Sequence, residues 1–196
     1  MNIWDYLELI IMFISAILII PQIFLIKKQI KEGHEEHRRE NTINMMYIWC
    51  NSLKKEASIA EEVARKLNDD QCGLLYQHQA FNVSDEIKNE ICKFCPLPKS
   101  ECSVCKIHTE NRLEGKILNE LRYHVICYLN MLETVMTSWH LGTVDRKTVE
   151  NEFQFLVTPG KGMALSSFRH VAGGYPLIEE FIDTVKDRDS SPKTLL

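Results

Sequence analysis

Twenty consecutive residues near the start of the chain, Leu7 to Ile26 (LELIIMFISAILIIPQIFLI), carry a single ionisable side chain, Glu8. A helix rises about 1.5 Å per residue, so this run matches the roughly 30 Å hydrocarbon core of a bilayer. Trp4 and Tyr6 stand where interfacial aromatics belong at one end, and Lys27, Lys28 and Lys31 follow at the other. A cleaved secretory signal has a basic start, a shorter apolar core and a small-residue exit. Here Asp5 and Glu8 lie in the first stretch and the exit is Ile26-Lys27-Lys28, so a retained transmembrane anchor is expected. Lys27, Lys28, Lys31, Arg38 and Arg39 all follow the run, which by the positive-inside rule puts the body in the cytoplasm and the N-terminus outside.

The rest of the 196 residues suffices for one domain of about 150 residues with a real core. Four segments are expected: an anchor over 1–28, a juxtamembrane helical extension or connector over 29–41, a cytoplasmic helical domain over 42–188, and a tail over 189–196. Within the domain, Met46, Trp49, Leu53, Ala57, Ala60, Ala64 and Leu67 recur at helical spacing across 43–67. Residues 72–83 are ambiguous. Ser84 suits the cap of a helix over 85–93. The longest periodic run covers 109–141, through Leu113, Ile117, Leu121, Val125, Tyr128, Leu132, Val135 and Trp139, and Gly142 stops it. Asp145 suits the cap of a helix over 146–157, a short helix follows over 164–171, and Pro176 opens a last one. Strand-like alternation is nearly absent. The expected fold class is all-α: one N-terminal transmembrane helix followed by a helical bundle.

Glu8, Ser15, Gln22 and Gln29 fall one heptad apart, and each step of seven drifts only about 20° around a helix. They form a polar seam on an otherwise apolar anchor. Polar side chains at membrane depth face partner helices or water, so the seam implies association with copies of itself or with another membrane protein. Two arrangements fit: polar contacts inside a small helix bundle, or a ring whose seams line an aqueous pore. No GxxxG dimer motif is present, and Pro21 beside Gln22 can free a backbone carbonyl on that side.

Cys92-Lys-Phe-Cys95 and Cys102-Ser-Val-Cys105 form CxxC-x6-CxxC, with Pro96 and Pro98 stiffening the connection. Four thiolates satisfy tetrahedral Zn²⁺ and leave no open position, so a structural zinc on Cys92, Cys95, Cys102 and Cys105 is expected, with His108 as a substitute ligand. A redox-active CxxC and four free thiols are the competing readings. Cys50, Cys72 and Cys127 stand alone and are expected as buried small hydrophobes.

Signs of catalysis are weak. His34-Glu-Glu-His37 spaces its histidines three apart, not the four of HExxH; Pro159-Gly-Lys161-Gly lacks the P-loop frame; no GxSxG occurs. Arg122 with His124 and Arg169 with His170 are the close Arg/His combinations, and both suit structural hydrogen bonding. The expectation is a non-enzyme. With a formal net charge of −4, no direct nucleic-acid binding is expected either.

From about Leu113 to Val185, with Leu129-Asn130-Met131-Leu132-Glu133, Gly142-Thr143-Val144-Asp145 and the Gly173-Gly174-Tyr175-Pro176 turn, the chain resembles small bacterial proteins carrying one membrane helix and a helical domain of unknown function. The layout is also similar to the membrane accessory protein of type VI-B CRISPR systems. That resemblance covers the anchor and about half the chain. It implies a HEPN-like helical domain, an oligomeric pore in the bacterial inner membrane, and a role strengthening an RNA-guided RNase in antiviral defence. HEPN ribonucleases place Arg five to seven positions before His, and none of the seven histidines here has such an arginine. The implied nuclease is therefore dead, and the pore reading gains. The rivals are a membrane-tethered adaptor that binds a protein partner through its cysteine loop, and a divergent HEPN RNase using His124 or His170.

Overall fold

The computed structural model describes residues 3–53, 55–92, 111–158 and 165–190. It is mostly helical. The first element, α1 (Ile3–Ser52), is a single helix of 50 residues, about 75 Å long, that takes in the apolar run, the charged segment after it and the first part of the expected domain. Segment 29–41 is thus continuous helix. Its exposed turns carry i,i+4 pairs, Lys28 to Glu32 at 3.7 Å and Lys31 to Glu35 at 3.9 Å. Pairs of this kind add only a few tenths of a kcal/mol each, in line with a segment held by propensity and by continuity with its neighbours.

The helix expected over 43–67 is two helices. The first ends at Ser52, and the second, α2 (Lys55–Arg65), buries Ala57, Ile59, Ala60, Val63 and Ala64. The stepping of apolar residues is the same on both sides of the break, so periodicity alone joined them. Then come α3 (Asp69–Tyr76), closed at its start by an Asn68–Gln71 capping box, and α4 (Asp85–Ile91), capped by Ser84. A two-residue antiparallel pair, β1 (Phe81–Asn82) with β2 (Arg112–Leu113), sits between them. Beside it, Asn111 accepts from the Val83 N–H through its carbonyl at 2.7 Å and from Lys88 Nζ through its side chain at 2.8 Å. These contacts fix where the chain leaves at Cys92 and returns at Asn111.

The central helix α5 (Gly115–His140) starts six residues later than its apolar periodicity predicts. Gly115 has φ of +62°, which a right-handed helix does not contain, and Leu113 is taken by the strand pair. Its end matches expectation: Gly142 is left-handed, and Thr143 N–H returns to Ser138 O at 3.2 Å. Asp145 caps α6 (Arg146–Glu152), a 3₁₀ turn follows over Gln154–Leu156, and α7 (Ser166–Ala172) and α8 (Pro176–Ser190) complete the body. α5 is the hub: α2 packs on one side, α8 on another, while α3 packs on α7. Leu118, Leu121, Val125, Leu129, Leu132 and Met136 of α5 are fully buried, with Phe153, Phe168 and Phe181 around them.

Candidate functional site: the uncovered helix and the groove at its base

Within α1, twelve large apolar side chains from Met12 to Ile30 are exposed, and the body covers none of that span. By length and composition this helix can cross a membrane. Burying a side chain of this size is worth about 1.5–3 kcal/mol, so twelve forgo roughly 20–35 kcal/mol in water. That exceeds the whole stability of an ordinary domain, about 5–15 kcal/mol. A surface of that size requires another apolar phase or another chain against it.

Of the four seam residues, Gln22 and Gln29 are exposed on α1; Glu8 and Ser15 fall on the same helix, with side chains outside the described residues. Pro21 lies inside the helix without ending it. Residues 27–40 are mostly charged or polar and are all exposed, and the helix regains contact with the body only at its last turns.

The contact begins at Asn41, whose side-chain amide donates to Thr143 O at 3.1 Å. Thr42 is 4% exposed. Its hydroxyl donates to Arg38 O at 2.7 Å and accepts from the Asp145 N–H at 2.7 Å. Met45, Met46, Trp49 and Leu53 pack on the core. The Trp49 ring meets Phe153 edge-on at 5.1 Å and Tyr128 at 5.8 Å. Asp145 also accepts from Thr148 N–H at 2.8 Å, and this hydrogen bonding holds its carboxyl below the usual range. One residue therefore starts α6 and ties the long helix to the body.

Beside this junction lies an apolar groove of about 450 Å³ between α1 and α5. Met45, Ile48 and Trp49 form one wall, Met131, Thr134 and Val135 the other. On the opposite side of α1, Ile43 and Tyr47 project outward, 69% and 70% exposed. The sequence reading missed both features. The available signal was helix phase: Tyr47 stands eighteen residues, five turns of about 3.6, after Gln29.

Cys92 caps the end of α4 and is half-buried; Cys95, Cys102, Cys105 and His108 lie outside the described residues. Among the described residues no three His, Cys, Asp or Glu side chains gather as a metal site. Cys72 is buried as expected, and burial together with Asp69 pushes its thiol up to about 11. Cys127 is only half-buried, and Cys50 is exposed, contrary to expectation, because it follows Trp49 by about 100° and so turns off the body.

The arginines of the two Arg/His combinations hold neighbouring elements. Arg122 Nε donates to Tyr76 O at 3.0 Å, with its guanidinium over the Tyr76 ring. Arg169 is buried against Glu179 at 2.6 Å, whereas His170 beside it is exposed. Glu133, from the run that carries the resemblance, accepts from the Leu177 and Ile178 N–H groups at 3.0 and 3.1 Å and so caps α8. Comparison with protein-family models, curated proteins and solved structures yields no match.

Proposed function

We propose that the protein is a membrane-anchored, non-enzymatic pore former that assembles from several copies and acts in antiphage defence. The observation that carries this reading is α1: one unbroken helix with an uncovered apolar span, a polar seam through that span, and a base built into a packed domain. A lone helix gives polar groups at membrane depth nothing to face, and copies arranged with Glu8, Ser15, Gln22 and Gln29 inward supply water to all four. The basic residues after the apolar run support a cytoplasmic body in the bacterial inner membrane. The link to an RNA-guided RNase of a CRISPR system rests on the resemblance alone, as does the HEPN-like character of the domain.

A structural zinc on Cys92, Cys95, Cys102 and Cys105 belongs to the same reading. Its support is the CxxC-x6-CxxC spacing and the position of Cys92 at the point where the chain leaves α4. In this scheme zinc would hold the loop together and take no part in conduction.

The test is to replace Ser15 or Gln22 with Leu in cells carrying the chain and a programmed RNA-guided RNase, then follow membrane potential by dye and protection against phage. Loss of both responses, with membrane levels of the protein unchanged, is expected. If depolarisation and protection persist in both variants, the seam does not line a working pore.

A further inference from the structure

α1 runs without a break from the apolar span into the body, so positions on its two halves share one phase. Take Gln29 as the origin and advance about 100° per residue. Gln22 then lies at about +20°, Tyr47 at about 0° and Ile43 at about −40°. The side chains that meet the body, Thr42, Met46, Trp49 and Leu53, centre at about −130°. The groove wall on α1, through Asn41, Asn44, Met45 and Ile48, centres at about +110°. Groove and outward patch thus sit at one level of the rod, about 130° apart, and the direction midway between them points away from the body and toward the seam.

Charge follows the same division. Within about 50° of the groove wall, the ionisable residues of the exposed rod are Lys27, His34 and His37, with no carboxylate among them. Within the same angle of the patch stand Glu32, Glu36 and Glu40. Brought side by side at one height, two copies would set the carboxylate-free flank of one, with Lys27, against the acidic flank of the next.

We infer that Ile43 and Tyr47 of one copy seat in the groove between α1 and α5 of the next, in a head-to-tail contact repeated around a ring. This interface deepens the pore reading and rests on it only for the membrane setting. The area argues for a second copy over a soluble partner. Tyr47 and Ile43 offer on the order of 250 Å², whereas a stable interface needs about 800 Å² from each side. Only an occupant that also brings an apolar helix alongside the span at the same height supplies the remainder, and a second copy does so by construction. Contact faces about 130° apart turn the chain by about 50° per copy, which closes a ring of roughly seven copies with the seams inside and the bodies outside.

The experiment uses the full chain in native membranes, with Tyr47 replaced by photoreactive benzoylphenylalanine and heavy and light copies mixed. Irradiation is expected to join a light Tyr47-position peptide to a heavy α5 peptide containing Met131 or Thr134. Tyr47→Arg and Thr134→Arg, both at exposed positions, are expected to reduce the detergent-corrected mass from a large oligomer to a single chain or a dimer. Adducts between two Tyr47 positions would show a symmetric contact and overturn the head-to-tail arrangement. Adducts only with other proteins, or an oligomer mass unchanged in both variants, would overturn the interface altogether. Planar-bilayer conductance on the same preparation separates the two readings. Groove adducts without conductance keep the interface and remove the pore; conductance without groove adducts does the reverse.

Discussion

Thr42 and Asp145 meet through one hydrogen bond that joins α1, about three turns before its end, to the first turn of α6, 103 positions away in sequence. Thr42→Val keeps the shape and removes the acceptor, leaving the Asp145 N–H unpaired at a part-buried site. A loss of about 1–3 kcal/mol in unfolding free energy is expected, read from chemical denaturation in detergent. The Asp145 carboxylate carries a separate, pH-dependent contribution. Its folded pKa is depressed, so its stabilisation is complete above the ordinary carboxylate value, about 3.9, and is lost as pH falls through the folded value. Asp145→Asn retains a competent cap and cannot titrate; its melting temperature is expected to fall less steeply than that of the parent chain across this acid window. Cysteine chemistry gives a third check at this scale. Cys50, exposed on α1, is expected to react with iodoacetamide at pH 8 in the folded protein, whereas Cys72, buried and with its thiol pushed up to about 11, reacts only on unfolding. Mapping both sites by mass spectrometry decides it; early labelling of Cys72 would mean that α3 opens readily.

At the scale of elements, the helices with strong end signals were legible from sequence. Ser84, Gly142, Asp145 and Pro176 each stand at the terminus their chemistry suggests. What escaped was tertiary: Leu113 belongs to the α5 periodicity yet pairs with Phe81, and Gly115 turns left-handed to allow it. The continuity of α1 through 29–41 also lay beyond local pattern, since a polar, Gly33-bearing segment reads equally well as connector. Gly33 has open space where a Cβ would stand, so Gly33→Ala is expected to stabilise the rod by about 1 kcal/mol. Retained depolarisation in that variant would show that the rod works stiff; lost depolarisation would show that it must bend there. A phase experiment asks more. Two residues inserted after Gly33 rotate the body about 200° relative to Gln22, and seven restore the phase to within about 20°. Depolarisation is expected to vanish with two and return with seven; equal activity in both would mean that phase across α1 is irrelevant.

For the molecule as a whole, the candidate site was half legible. The seam is a one-dimensional pattern and could be read from Glu8, Ser15, Gln22 and Gln29 alone. The groove could not, because Met45 and Ile48 meet Met131 and Thr134 only after α1 and α5 have packed. Of the four cysteines expected to hold zinc, all but Cys92 fall outside the described residues, so that expectation stands on their spacing and on the place of Cys92 at the end of α4.

One property of the long helix bears on how such an assembly would respond. Between Gln22 and Thr42 there is no joint: twenty residues, about 30 Å of helix, separate the glutamine of the apolar span from the threonine buried in the body. The segment is therefore a lever seated in the body at its Thr42 end. A tilt of about 10° at the Thr42 end displaces Gln22 by roughly 5 Å, close to the diameter of a small hydrated opening. Whatever presses on the domain moves the far end by simple leverage, and the first place able to absorb that motion is the hydrogen bond missing at Pro21.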